Sequence, residues 1–214
     1  MSGAELSVAV RADLEPRRHE MVDLLGDLVR IESPSDDRPS LDRFAARLQT
    51  LFGELGDLER IEPGDPVRGS HLRLTVGAQN GSRQHAVALC HYDTVWSLGT
   101  LQRIPFSVDD GGVARGPGCF DMKGGIVVLY FALQALRARG LRPARPLRVL
   151  FTSDEEVGSP TSRPLIERTA DGAAVAYILE SPLPGGTLKT ARKGTGDFFV
   201  RITGRAAHAG VEPQ

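Results

Sequence analysis

Two side chains at the end of an apolar run, His91 and Asp93, have the types and the spacing of a metal site. The run starts at Ala86 and reads as a buried strand, in which residues two apart leave the same face. A neutral imidazole can bind a metal while a carboxylate orients the ring, and the Asp could equally be a direct ligand. Alone, the pair fits a polar strand end with a hydrogen-bonded histidine better than a metal centre.

Further carboxylates follow other predicted elements and reverse that preference. Asp121 lies in a glycine-rich loop before an apolar helix, where it could be no more than an N-cap. The acidic run Asp154–Glu156 follows the strand predicted over Leu147–Thr152, and a solvated acidic loop would look the same. Glu180 follows the strand predicted from Ala173 to Leu179.

The elements that must position these groups alternate along the chain. Strand, helix, strand, helix and strand follow one another from about residue 85 to 180. This order predicts an α/β fold with a mostly parallel sheet and helices on both faces. Ligands of such sheets bind beyond the carboxyl ends of the strands. The groups expected together at that edge are His91, Asp121, Glu155, Glu156 and Glu180.

Four of these five groups are carboxylates, which repel one another strongly unless a cation neutralises them. One histidine with several carboxylates suits Zn²⁺ and leaves Mn²⁺ or Co²⁺ possible. So many carboxylates favour two metal ions, with one carboxylate bridging them.

Apolar periodicity predicts the other elements. They are an amphipathic helix from Leu14 to Ile31, a second helix from an N-cap at Ser40 to Gly56, a strand from Leu72 to Val76, a turn over 79–82, a hairpin between Leu101 and Gly118 with its turn at 109–112, a helix from Ile126 to Leu136, a helix from Pro160 to Ala170, and strands over 187–193 and 197–203.

Composition bounds the class of protein. The 214 residues are 41% hydrophobic and 25% charged, as in ordinary globular proteins, and 26 Lys and Arg against 27 Asp and Glu give no argument for nucleic acid or an anionic membrane as partner. No apolar run approaches the roughly 20 residues of a membrane span, and the N-terminus lacks the layout of a signal peptide. Two cysteines, Cys90 and Cys119, exclude a disulfide scaffold and suit a reducing cytoplasm, and Cys90 reads as a small core residue.

Several linked motifs occur between Leu72 and Pro213. They are Cys90–Trp96, Gly99–Leu101 with Pro105–Phe106, Gly116–Gly125, Asp154–Glu156 and Gly204–Gly210. Together they resemble the M20 metallopeptidases, and within them most closely the glutamate carboxypeptidase branch. The resemblance implies a catalytic domain over 1–185 and the start of a smaller α+β lid and dimerisation domain over 186–214.

The resemblance also implies a role for each candidate residue and two zinc ions in each complete subunit. His91 and Glu180 would bind the first zinc, Asp121 would bridge both, Glu156 would bind the second, Asp93 would orient His91, and Glu155 would be the general base.

Two further residues bear on activity. Family aminopeptidases tend to have Asp where this chain has Glu180, which favours a carboxypeptidase or a deacylase. His208 would help to stabilise the tetrahedral intermediate, often from the partner subunit, although a polar residue in a glycine-flanked turn would look the same. Family members continue beyond the position of Gln214, complete the lid and add a late histidine for the second zinc.

The expected function is therefore that of a cytoplasmic zinc hydrolase, dimeric through the lid domain when complete, that cleaves an amide bond of a small peptide or an N-acyl amino acid. The 214-residue chain by itself is expected to be weakly active or inactive. Two alternatives stay open: a deacylase of the acetylornithine deacetylase or aminoacylase type, and a piece without turnover that binds metal or a partner subunit.

Overall fold

A five-stranded sheet brings the carboxyl ends of three parallel strands to one edge. The computed structural model describes residues 2–77, 84–194, 196, 198–205, 208, 210 and 211. Contacts divide the chain into two units, Met1–Ser181 and Pro182–Gln214. The strands of the first unit are β1 (Asp57–Ile61), β2 (His71–Val76), β3 (His85–His91), β4 (Ser107–Val108), β5 (Ala114–Arg115), β6 (Leu147–Thr152) and β7 (Ala173–Ile178).

The main sheet has the order β1-β2-β6-β3-β7 and is mixed. β3 pairs in parallel with β6 and β7, whereas β2 runs antiparallel to both β6 and β1. The mostly parallel sheet predicted over residues 85–180 is thus confirmed for β6, β3 and β7, and β2 and β1 extend it with antiparallel pairs. The direction of a strand is decided by its partners across the sheet, so the apolar pattern of β2 did not reveal it. The predicted hairpin is confirmed as the antiparallel pair β4 and β5.

Six helices accompany the strands within the described residues. They are α1 (Gly3–Leu14), α2 (Arg18–Arg30), α3 (Arg38–Phe52), α4 (Thr100–Arg103), α5 (Gly124–Ala138) and α6 (Arg163–Ala170).

The predicted amphipathic helix corresponds to α2, and α1 precedes it as a separate helix. A short 3-10 segment, Glu15–Arg17, separates the two and contains Pro16. Proline interrupts a helix because it lacks an N–H. Helix α1 buries none of its residues, and its sequence lacks the apolar periodicity that revealed α2.

The N-cap of α3 is Asp37, so the prediction of Ser40 for this position was wrong. The Asp37 side chain accepts a hydrogen bond from the Ser40 N–H at 3.0 Å. Pro39 occupies the first turn, where a missing N–H costs no hydrogen bond, and this allows the helix to begin earlier. The helix also ends earlier than predicted, at Phe52 rather than Gly56.

Helices cover both faces of the sheet, as predicted. On one face α6 packs near β7, and the Thr169 carbonyl accepts a hydrogen bond of 2.6 Å from His85 Nε2. The main core lies on the opposite face, between the sheet and α2, α3 and α5. The buried members of this core include Leu28, Leu41, Phe44, Leu48, Phe52, Leu72, Leu74, Ala88, Cys90, Ile126, Val149 and Phe151.

One helical segment, Cys119–Ala138, is long and apolar enough to cross a membrane by length and composition, which the sequence analysis did not expect. Half of its apolar window is buried inside the fold. Ile126, Val127 and Phe131 of this segment belong to the main core, so we attribute its apolar character to packing.

Among its described residues, the second unit, Pro182–Gln214, contains a short 3-10 turn, Pro184–Gly186, and a bridge between Leu183 and Thr187. The described residues of the two strands predicted over 187–193 and 197–203 form no strand, so that prediction was wrong for them. Phe198, Phe199 and Ile202 are at least 90% exposed, and strands without a packed face are not stable in water. The turn predicted over 79–82 lies outside the described residues, and the lid domain stays a prediction.

Candidate metal and catalytic site

His91 ends β3 and is 2% exposed. Its Nδ1 lies 3.0 Å from the backbone carbonyl of Asp93, and since a carbonyl can only accept, Nδ1 carries the proton. A neutral ring in this tautomer directs the lone pair of Nε2 outwards, which is the atom that a metal would bind.

Three carboxylates from three different segments surround His91 Nε2. Asp121 Oδ1 lies at 3.0 Å, Glu180 Oε1 at 3.2 Å and Glu155 Oε2 at 3.8 Å. The structure therefore brings together groups that are up to 89 residues apart in the sequence, at the carboxyl ends of β3, β6 and β7 as predicted.

Glu156 completes a possible ligand group. Ligand atoms of His91, Asp121 and Glu156 all lie within 4.8 Å of one another. One nitrogen and several carboxylate oxygens at this spacing form a donor set that suits a divalent cation such as Zn²⁺.

Asp93 lies beneath these groups and is fully buried. Its Oδ1 is 3.4 Å from His91 Nδ1 and accepts a hydrogen bond of 3.2 Å from the Glu155 N–H. Its Oδ2 accepts from the Glu156 N–H at 3.2 Å and from the Ser35 hydroxyl at 2.7 Å. These contacts favour the orienting role of Asp93 over the alternative of direct ligation.

The electrostatics of the cluster follow from the crowding of carboxylates. Burial alone would lower the pKa of His91, but hydrogen bonds to Asp93 and Glu180 outweigh it and raise the pKa of His91 to about 11. Burial and the charge of Asp121 raise the pKa of Glu156 to about 7. Burial raises the pKa of Glu155 as well, and Glu180 contributes. Neighbouring carboxylates contribute to each of these three shifts, and a bound cation would neutralise their surplus negative charge.

Asp121 lies in an irregular turn, Cys119–Lys123, that leads into α5, and 62% of its side chain is exposed. The N-cap position of α5 is Lys123, so the alternative reading of Asp121 as an N-cap was wrong. Gly118 begins the turn with a φ of 67°, a conformation that glycine adopts without strain. The peptide bond between Asp121 and Met122 is cis, a feature with no signal in the sequence.

The start of α5 also fixes the end of β7. A Cβ on Gly125 would lie 1.9 Å from the carbonyl oxygen of Leu179, so only glycine allows this contact. Glu180 follows Leu179 directly, so the close approach of α5 determines the position of the Glu180 backbone and thereby of its side chain.

Sequence reasoning missed the connector between α2 and α3 and read it only as a helix end. Glu32 accepts hydrogen bonds from the N–H groups of Gly99 and Leu101, and its neighbour Ile31 accepts one from Lys123 Nζ at 2.9 Å. Lys123 is 1% exposed, and burial lowers its pKa to about 7. The sequence signal was the cluster of polar residues Glu32–Ser35 between two apolar helices.

His208 belongs to the second unit. There its Nδ1 accepts a hydrogen bond of 3.1 Å from the Gly210 N–H. Its catalytic role stays a prediction. Both cysteines are free thiols: Cys90 is part of the core, as predicted, and Cys119 is half-buried.

Comparison with known proteins agrees with the motifs. The pattern of peptidase family M20/M25/M40 matches residues 88–208. Carboxypeptidase G2 of Pseudomonas sp. (strain RS-16) is 32% identical over 197 residues, which are 91% of this chain and 46% of that protein. Acetylornithine deacetylase of Salmonella arizonae is 31% identical over 192 residues, which are 88% of this chain and 49% of that protein.

A solved structure shares the fold. The dipeptidase Dug1p from Saccharomyces cerevisiae superimposes with a TM-score of 0.67 at 18% identity, over 80% of this chain and 40% of that chain. The chain spans about half the length of the curated relatives that it matches. The family pattern covers more than half of the chain and includes every candidate site residue from His91 to His208. The chain therefore belongs to peptidase family M20/M25/M40.

Proposed function

We propose that this chain carries the metal site of a zinc-dependent hydrolase that cleaves an amide bond of a small peptide or an N-acyl amino acid. The observation that carries the proposal is the convergence of Asp121, Glu155 and Glu180 on His91 Nε2 within 3.8 Å. Four carboxylates beside one imidazole repel one another unless a cation neutralises them, and with a cation present they can serve as its ligands.

The described residues fit the expected zinc ligands. His91, Asp121 and Glu180 would hold the first ion, while Asp121 and Glu156 would hold the second. Co²⁺ or Mn²⁺ would suit the same donors. Metal ions held there would acidify a water molecule and polarise the substrate carbonyl.

Glu155 is the best placed proton acceptor in the cluster. Half of its side chain is exposed, so a water molecule can reach it, and its raised pKa makes it a stronger base than an ordinary glutamate. It would take the proton from the attacking water and return it to the leaving amine. Glu156 must stay ionised to bind metal, so the two neighbouring glutamates have different roles, Glu155 as the base and Glu156 as a metal ligand.

The second candidate function is metal binding without turnover. It is favoured by the ligand count, because the assignment proposed above gives the second ion only the carboxylates of Asp121 and Glu156, and catalytic zinc usually has three protein ligands. We infer that activity belongs to the complete protein, which dimerises through the lid domain and uses His208 to stabilise the tetrahedral intermediate; this chain spans about half the length of the curated relatives that it matches. A cytoplasmic location suits the two free thiols.

Metal content and hydrolysis separate the candidates. The purified full-length protein, stripped with a chelator and reloaded with zinc, should bind two ions per subunit and hydrolyse peptides with C-terminal glutamate. Faster hydrolysis of N-acetylated amino acids would select the deacylase alternative. Two bound ions without hydrolysis of either class would select metal binding without turnover, and no bound metal would contradict both candidates.

A further inference from the structure

The connector Ile31–Ser35 lies beside the residues that follow β3. Thr94 donates its N–H to the Ser33 carbonyl at 2.8 Å, and its own carbonyl accepts the N–H of Ser35 at 3.3 Å. Pro34 and Thr94 thus form a bridge that extends the carboxyl end of β3 by one strand-like contact. The connector is therefore fixed next to the buried base of the site.

Ser35 makes the shortest of the hydrogen bonds that Asp93 accepts. Its hydroxyl donates to Oδ2 at 2.7 Å, against 3.2 Å for each of the N–H groups of Glu155 and Glu156. Ser35 is 6% exposed and Asp93 is fully buried. A buried carboxylate depends on protein donors for the stabilisation that water would give it, and a hydroxyl donor to a charged acceptor is a strong one.

The orientation of Asp93 has consequences on both sides of the site. One oxygen faces His91 Nδ1 and the Glu155 N–H, and the other faces the Glu156 N–H and Ser35. A carboxylate is planar, so a rotation that lets one oxygen relax moves the other. Loss of the Ser35 donor should therefore disturb the ring of His91 and the backbone that carries the two glutamates.

We propose that Ser35 is a positioning residue that acts through Asp93 to align His91 and Glu156 for metal binding. The inference rests on the proposed function for the identity of the metal ligands. It assigns to a residue of the α2–α3 connector a share of the metal affinity, although Ser35 is more than 50 residues from every ligand in the sequence.

Metal affinity tests the inference, because a merely structural role would not change it selectively. Ser35→Ala should lower the affinity for zinc at least 10-fold in competition with a fluorescent chelator, since groups that orient metal ligands typically contribute 10- to 100-fold. Ser33→Ala is the matched control: this neighbour is also buried, and its hydroxyl donates to the Tyr92 carbonyl at 2.7 Å instead of to Asp93. It should change zinc affinity less than threefold while lowering the melting temperature about as much.

Ser35→Thr keeps a hydroxyl at the same Cβ and should keep most of the affinity that Ser35→Ala loses. The inference is overturned if Ser35→Ala binds zinc within threefold of the wild type, if Ser33→Ala loses as much affinity, or if Ser35→Thr is as weak as Ser35→Ala. Hydrolysis is measured in parallel. A selective loss of affinity in a protein without hydrolysis contradicts the proposed function alone, and normal affinity in an active Ser35→Ala protein contradicts the inference alone.

Discussion

The site has a buried half and an exposed half that are organised in different ways. His91 and Asp93 are 2% and 0% exposed, and hydrogen bonds from the protein determine their orientations. The side chains of Asp121 and Glu155 are 62% and 51% exposed, and they face other carboxylates. Hydrogen bonds within the fold arrange the first half, whereas the second half presents the carboxylates that the proposed metal ions and substrate would contact.

This difference separates the consequences of mutation. In the buried half, a polar change leaves donors or acceptors unpaired away from water, so folding and metal affinity should suffer together. In the exposed half, water can replace a lost partner, so the fold should survive while metal binding or turnover is lost.

The largest effect is expected from Asp121→Ala. Its carboxylate is the proposed bridge, so its loss should release both metal ions and abolish hydrolysis, with little change in the melting temperature of the metal-free protein. Elemental analysis after gel filtration measures the metal content. Asp110→Ala, which removes an exposed carboxylate from the β4–β5 turn, is the control and should keep both ions. Two zinc ions retained by Asp121→Ala would show that the bridge was assigned wrongly.

A pair of isosteric changes compares the two halves directly. Glu155→Gln removes the proton acceptor of the exposed half and should lower kcat on the order of 10²-fold or more while zinc stays bound. Asp93→Asn puts an amide N–H₂ against the N–H groups of Glu155 or Glu156 or against the Ser35 hydroxyl. It should lower zinc affinity more than 10-fold and unfolding free energy by about 1–3 kcal/mol.

Urea unfolding of the metal-free proteins and chelator competition measure these differences. Near-normal turnover by Glu155→Gln with full zinc would remove this residue from its role as base. Equal effects of the two changes on stability and on metal binding would remove the distinction between the halves.

The next effect concerns the contact between α5 and β7. Gly125→Ala would place a methyl group 1.9 Å from the Leu179 carbonyl oxygen, so the backbone beside Glu180 must move. We expect a loss of about 1–3 kcal/mol in unfolding free energy, as for other overpacked positions, and weaker zinc binding. Gly3→Ala, at a helix position with open space around it, is the control. Unchanged zinc affinity in Gly125→Ala would show that Glu180 is positioned independently of α5.

The charged groups of both halves of the site could be predicted from the sequence, but the hydrogen-bond partners of the buried half could not. Asp121, Glu155 and Glu180 follow strand ends or a glycine-rich turn, and the convergence of parallel strand ends is a general property of such sheets. Strands β3, β6 and β7 and helix α5 were predicted because apolar residues dominate their sequences.

What the sequence did not reveal depends on partners that are distant along the chain. Ser35 lies 58 residues from Asp93, and a serine after a helix carries no sign of such a partner. Strand β1, with only two apolar residues, Leu58 and Ile61, forms because β2 offers it an edge. The converse holds over 198–203: its apolar pattern did not produce a strand within the described residues, because apolar residues alone do not supply a neighbouring strand to pair with.

The smallest effect concerns His71, which is buried behind the turn that carries Glu155 and Glu156. Its Nδ1 faces the Ser153 N–H at 3.3 Å and so must accept, while Nε2 donates to the Thr161 hydroxyl at 2.9 Å. That hydroxyl donates to Asp154 at 2.7 Å, which fixes a neutral ring. Burial lowers the pKa of His71, although Asp154, Asp93 and Glu62 partly oppose it.

A lowered histidine pKa predicts a stability contribution that is present above the unfolded pKa of about 6.5 and is lost as the pH falls below it, because the unfolded chain then binds more protons. His71→Asn cannot titrate and should cost about 1 kcal/mol at pH 7.5, since Thr161 loses a donor. The urea midpoints of wild type and His71→Asn should therefore differ less at pH 5.0 than at pH 7.5. His19→Asn, at an exposed position, should show no such convergence. A constant difference between wild type and His71→Asn at the two pH values would mean that His71 does not link acidity to the stability of this part of the site.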